Sequence, residues 1–129
     1  MEDIHIKNYK GVYIIPSVDF SITTGTCEIS GESFLEETSK FYSPLLDWLK
    51  DYMANIKKPL TFNFKLTYFN TSTSKWILNI LTLLKRYEEN GGEVTVYWYY
   101  NEDDIDMQDD IQDYIIDTGV NIHLVPFEL

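Results

Sequence analysis

Leu60, Phe62, Phe64, Leu66 and Tyr68 alternate with polar neighbours over nine positions, the period-two pattern of a half-buried strand. The period then changes. Trp76, Ile77, Ile80, Leu81, Leu84 and Tyr87 return at steps of three and four, which predicts a helix, and Asn90-Gly91-Gly92 supplies its C-terminal stop. Upstream, Phe41, Leu45, Trp48, Leu49, Tyr52, Met53 and Ile56 predict another helix. Ser33 and Glu36 stand before it at capping-box spacing, and Pro44 suits a first helical turn. Residues 18–22 and 27–30 are strand-like and joined through Thr23-Thr24-Gly25, a hairpin turn; residues 11–16 make an extended piece at the edge. Residues 94–100 are apolar at nearly every position, which predicts a strand buried on both faces. Ile105, Ile111, Tyr114 and Ile115 give a third helix ending near Gly119, and residues 120–125 a last strand.

The order is β-β-α-β-α-β-α-β, an α/β fold. From residue 60 onward the alternation of strand and helix implies parallel strands joined by right-handed crossovers. With the N-terminal hairpin added, the expectation is a single domain over residues 1–129, a mixed sheet with helices packed on it. At 129 residues and 44% hydrophobic content, a core can form without disulfides or metals.

Charge changes this picture by its position. Residues 1–86 hold nine acidic and ten basic residues, whereas residues 87–129 hold twelve acidic residues and no Lys or Arg. A nucleic acid or an anionic membrane needs a cationic surface, so neither is expected as a partner. The acidic third suits a cationic partner surface, or a metal, instead. Apolar runs are too short to span a bilayer, no secretory leader pattern opens the chain, and the expected location is cytoplasmic. Cys27, alone in the chain, reads as a structural thiol.

The candidate chemistry lies in residues 68–75, Tyr-Phe-Asn-Thr-Ser-Thr-Ser-Lys, where the clearest strand meets the clearest helix. Open α/β sheets place function at the carboxyl ends of parallel strands. Asn70 or Thr71 can cap the helix, but capping needs one residue and four hydroxyls stand in a row. A phosphoryl group on an early hydroxyl would face free amides and the positive helix end, with Lys75 one turn in. Glu102, Asp103 and Asp104 end the next strand; beside the hydroxyl turn they would make added phosphate charge disruptive. Asp106, Asp109, Asp110, Asp113 and Asp117 follow at steps of three and four on one helix face, either simply solvated or a docking face for a basic partner.

Three stretches carry a resemblance: residues 28–33 (Glu-Ile-Ser-Gly-Glu-Ser), 66–75 (Leu-Thr-Tyr-Phe-Asn-Thr-Ser-Thr-Ser-Lys) and 96–104 (Val-Tyr-Trp-Tyr-Tyr-Asn-Glu-Asp-Asp). They resemble the hallmark segments of the SiaC family of bacterial regulatory phosphoproteins, whose fold is similar to the STAS domain of anti-sigma-factor antagonists. The resemblance implies a non-enzymatic partner switch that needs no cofactor. A cognate serine/threonine kinase would phosphorylate Thr71, with Ser72 and Thr73 as alternative acceptors, and a PP2C-type phosphatase would remove the phosphate. The unphosphorylated form would bind and activate a diguanylate cyclase, linking the switch to cyclic-di-GMP and biofilm or aggregation. Asn70, Ser72 and Lys75 would neighbour the phosphate; Tyr68, Phe69, Glu102, Asp103, Asp104, Asp106 and Asp110 would meet the partner. Thr73 stands where the family pattern has serine, and an N-terminal extension runs through Ile15.

Other readings stay open at this level. One is a STAS-type switch with a different partner. A phosphoaspartate receiver would suit the length and the Asp103-Asp104 pair but needs a late lysine, and none follows Arg86. A Mg²⁺ enzyme using Glu102, Asp103 and Asp104 has no evident base. Phosphate-binding glycine loops are absent, and His5 and His123 lack partners at metal-ligand spacing.

Overall fold

The computed structural model describes residues 1–127. Eight strands and three helices follow in the order β1 (Ile4–Ile6), β2 (Tyr9–Lys10), β3 (Ile14–Ile15), β4 (Ser17–Phe20), β5 (Thr26–Ser33), α1 (Thr38–Asp51), a π-helical turn (Tyr52–Ile56), β6 (Leu60–Phe69), α2 (Thr71–Glu89), β7 (Val94–Asn101), α3 (Ile105–Thr118) and β8 (Ile122–Phe127). Six strands form the main sheet in the order β1-β4-β5-β6-β7-β8, while β2 and β3 pair separately. β1, β4 and β5 are antiparallel; β5 through β8 are parallel. The mixed sheet and its three helices are those the periodicity predicts.

Because β5 to β8 lie side by side in chain order, three right-handed crossovers put all three helices on the same face of the sheet. The sheet is therefore covered once. Leu60, Phe62, Phe64 and Leu66 are buried beneath the helices, and Thr61, Asn63 and Lys65 are half-buried on the other side. This corrects the expectation for residues 94–100. Only Val96 and Trp98 are fully buried there; Tyr97 and Tyr99 lie on the open face, where His123 packs on Tyr97 and the Lys65 ammonium sits 4.9 Å from the Tyr99 ring. Apolar residues on both sides of this strand thus have two causes: a core on one face, and large aromatics shielding an uncovered sheet on the other.

The capping box is also overturned. Ser33 ends β5 opposite Phe69 with its side chain buried, and α1 begins at Thr38 after Glu37, which makes no side-chain cap. Ser33 is spent on tertiary hydrogen bonding instead. Pro44 lies in the interior of α1 rather than its first turn; its solvent-facing position lets water serve the carbonyl that loses a donor. The β4–β5 hairpin forms as expected. Gly25 has φ 68° there, and a β-carbon would sit 2.3 Å from the Pro59 carbonyl oxygen, so only glycine fits.

A bulge at the carboxyl end of β6 positions the candidate site. Gly31 pairs with Leu66 but Glu32 pairs with Tyr68, leaving Thr67 as an extra residue. Each residue beyond it is turned to the opposite face from the one strict alternation would give. Tyr68, expected in the apolar stripe, is exposed, and Phe69 takes the inward place against Trp98 and Tyr114.

Candidate functional site

Asn70 leaves β6 in extended conformation (φ −83°, ψ 173°) and is the N-cap of α2. Its amide nitrogen donates to the Leu35 carbonyl, which fixes the side chain's orientation and aims Oδ1 at the helix. Oδ1 accepts from the Thr73 amide at 3.1 Å, the Thr73 hydroxyl at 2.7 Å and the Ser72 hydroxyl at 3.2 Å. A carbonyl only accepts, so the remaining directions follow. Thr73 donates to Asn70; Ser33 must then donate to Thr73 Oγ1 at 2.9 Å, and Tyr42 to Ser33 Oγ at 2.7 Å. Tyr42, Ser33 and Thr73 are each 0% exposed. Burial pushes the Tyr42 hydroxyl up to about 12, against the smaller opposing effect of Ser33 and Thr73, so it stays protonated as the head of the relay. The chain runs from α1 through the end of β5 into the first turn of α2.

Thr71 stands outside this network. It is the first residue of α2 and exposed, and its amide and that of Ser72 have no intrahelical acceptor. The hydroxyls of residues 71–74 therefore divide by task. Thr71 faces solvent, Ser72 and Thr73 serve the cap, and Ser74 bonds Tyr114 of α3 at 2.7 Å. Thr73 is closed to an enzyme in this conformation.

Asn70, the neighbour of Thr71, is hydrogen-bonded to Ser33 and Leu35 on either side of Phe34, and there the surface is aromatic. Tyr13, Phe34 and Tyr68 are 40%, 40% and 49% exposed; their rings are linked at 6.3 Å (Tyr13–Phe34) and 6.5 Å (Phe34–Tyr68). The β2–β3 hairpin carries Tyr13 and is fastened to the end of β5 by paired backbone bonds between Ile14 and Phe34. The Tyr13 hydroxyl donates to Glu36 at 2.8 Å. Contiguous exposed aromatics mark interaction surfaces. Sequence reasoning found Tyr68 but missed Tyr13 and Phe34; the signal was Tyr9, Val12 and Tyr13 around Gly11, apolar residues with no periodic core to join.

The family model for SiaC family regulatory phosphoproteins matches residues 9–127. The chain belongs to that family. It is 29% identical over 101 residues, 78% of each chain, to an uncharacterised protein of Pseudomonas aeruginosa strain UCBPP-PA14. Crystalline apo-SiaC from Pseudomonas aeruginosa superposes with a TM-score of 0.86 at 24% identity, over 97% of this chain and 99% of that one. SiaC from the crystal structure of the diguanylate cyclase SiaD in complex with its activator SiaC gives a TM-score of 0.85 at 21% identity, over 95% and 100% of the two chains.

In this SiaC-family chain the acidic residues take separate roles. Asp104 is half-buried and caps α3, accepting from the Met107 amide at 3.0 Å; the Asp103 amide is held by the Asn101 side chain at 3.0 Å. Among the described residues no three His, Cys, Asp or Glu side chains are grouped so that they could hold a metal ion. Asp103 and Asp106 are exposed. Asp110, Asp113 and Asp117 line a cleft of about 240 Å³ together with Ser74, Lys75, Leu78 and Tyr114. The carboxylates beside Ser74 and Lys75 in this cleft thus come from α3 and not from the 102–104 loop. Partial burial, then repulsion from Asp113, Asp106, Asp104 and Asp109, raises the Asp110 carboxyl from its ordinary value. Cys27 is fully buried and its thiol is pushed far up by desolvation, in keeping with a structural role.

Proposed function

We propose that the chain is a non-enzymatic switch protein, a cytoplasmic activator of a diguanylate cyclase whose docking is controlled by phosphorylation of Thr71. The carrying observation is the division of labour at the start of α2: one hydroxyl is exposed beside an aromatic patch, and its neighbours are consumed by the cap. Family membership supports the regulatory role, and the SiaD–SiaC complex supports a cyclase as the partner class. Asp103, Asp106 and Asp110 extend the proposed docking surface from the aromatic patch; Phe69 and Asp104 act by packing and capping.

Phosphate on Thr71 acts in two opposed ways. Its charge of roughly −1.5 to −2 meets the amides and positive dipole end of α2, which steadies the helix. The same charge lies three residues from Tyr68, and burying it under a partner costs desolvation with no cation offered by this chain's acidic C-terminal third. Docking is lost while the fold is kept. A cognate kinase and a PP2C-type phosphatase would set and reset the state.

Phosphosite mapping by mass spectrometry after incubation with the kinase tests this reading. Phosphate is expected on Thr71, lost in Thr71→Ala and retained in Ser72→Ala. Phosphate retained in Thr71→Ala would end the proposal.

A further inference from the structure

The opposite end of α2 carries a second feature. A cleft of about 580 Å³ opens between the end of α1 with its π-helical turn, the last turns of α2, and the Asn90–Gly92 turn. Three of its lining side chains are cations, Lys50, Lys57 and Arg86, and no carboxylate lines it. The cleft draws mainly on the least acidic stretch of a chain of net charge −11, since residues 52–87 hold no Asp or Glu. Lys10, Lys40, Lys65 and Lys85 each reach a carboxylate within 4.0 Å; among the described residues the three cleft cations, like Lys7, Lys58 and Lys75, form no such pair and are available to a ligand. Between the cations, Met53, Leu83 and Tyr87 give the cleft an apolar wall. A smaller recess of about 170 Å³ shares Lys50, Leu83 and Arg86 and adds the exposed Asn79, so the groove continues along α2.

Helix-dipole effects account for part of this. Lys50 and Arg86 stand in the last turns of α1 and α2, where cations are favoured. The same effect favours Lys57, which caps the π-helical turn that prolongs α1 and stands in left-handed conformation (φ 57°). π-Helical turns and left-handed non-glycine residues recur at functional sites because other interactions must hold them. Clefts of 300–1,000 Å³ with an apolar body and a few placed charges are the size of small-ligand sites.

We propose that this cleft binds a small organic polyanion of nucleotide size, with Lys50, Lys57 and Arg86 holding its charged groups and Met53, Leu83 and Tyr87 packing its apolar body. The site is independent of Thr71 and faces away from the carboxyl end of the sheet, so ligand and phosphate would report to the same molecule through separate surfaces.

Titration calorimetry on the full chain, with ATP as the size-matched probe and inorganic tripolyphosphate as the headgroup arm, tests it. One ATP is expected to bind per chain, more tightly than tripolyphosphate and more weakly as salt rises. Lys50→Gln and Arg86→Gln change exposed side chains and leave the fold intact by circular dichroism; each is expected to weaken ATP by about tenfold, the scale of a lost charge-assisted contact. Thr71→Ala should bind ATP as the wild type does, which separates this site from the switch. Absence of ATP binding, or affinity unchanged in the Lys50→Gln/Arg86→Gln double variant, overturns the proposal. Tripolyphosphate binding as tightly as ATP overturns the role of the apolar wall. Self-association that Arg86→Gln abolishes and ATP does not compete would make the cleft a docking groove for an acidic segment of a second copy, which also overturns it.

Discussion

Thr71 and Thr73 are two residues apart and chemically identical, yet their surroundings give them opposite work. Thr73 is fully buried and donates to Asn70 while accepting from Ser33; the Thr71 hydroxyl bonds neither. Thr73→Val keeps the shape but strips Asn70 Oδ1 of its shortest bond and leaves the Ser33 hydroxyl without an acceptor. A buried polar group stranded in this way costs about 1–3 kcal/mol, so urea denaturation should show a loss of that size, largely recovered in Thr73→Ser. Thr71→Ala, at an exposed site outside the network, should move stability by no more than about 0.5 kcal/mol. Equal losses at the two positions would contradict the division drawn between them.

Helix ends and like charges along a helix face set the stability of individual elements. Lys57 closes the π-helical turn with φ 57°, a conformation that costs a β-carbon-bearing residue about 1–2 kcal/mol. Lys57→Gly should raise stability by a few tenths to about 1 kcal/mol after glycine's extra freedom in the unfolded chain is set against the relief. On α3, Asp110 holds its proton more tightly in the folded chain than in the unfolded one. Its ionisation therefore opposes folding; the penalty is complete above its raised folded value and fades as pH falls, vanishing below the ordinary 3.8. Asp110→Asn should stabilise the protein by a few tenths of a kcal/mol at pH 7, a screened like-charge effect at an exposed site, and by nothing near pH 3. An advantage that grew on acidification would contradict the sign.

Across the whole molecule, charge is partitioned: residues 87–129 carry no Lys or Arg, and three cations that pair with no carboxylate among the described residues gather in a cleft between the ends of α1 and α2. Much of this molecule is legible in the chain. The stripes at Leu60–Leu66 and Trp76–Tyr87, the Gly25 hairpin, the glycine stops and the Asn70 turn all announce themselves, because each is decided by residues a few positions apart. What escapes depends on partners far along the chain. The bulge at Thr67 is set by β5 and reverses Tyr68 and Phe69; Ser33 looks like a cap until Thr73, 40 residues away, claims its hydroxyl; the β2–β3 hairpin is anchored by Phe34, and only that anchoring assembles the aromatic patch. Burial on both faces of β7 fails for a related reason, since one-sided covering follows from strand order and not from composition.

The central claim is that a single phosphate on Thr71 decides docking without disturbing the fold. The direct measurement is calorimetric binding of the cognate diguanylate cyclase to three forms of the chain: unmodified, phosphorylated on Thr71, and Thr71→Ala carried through the same kinase treatment, with thermal melts of each. Tight binding is expected of the first and third, at least tenfold weaker binding of the second, and a melting temperature for the second no lower than for the first. Equal binding by all three, or loss of binding that tracks a loss of folding in the phosphorylated form, would contradict it.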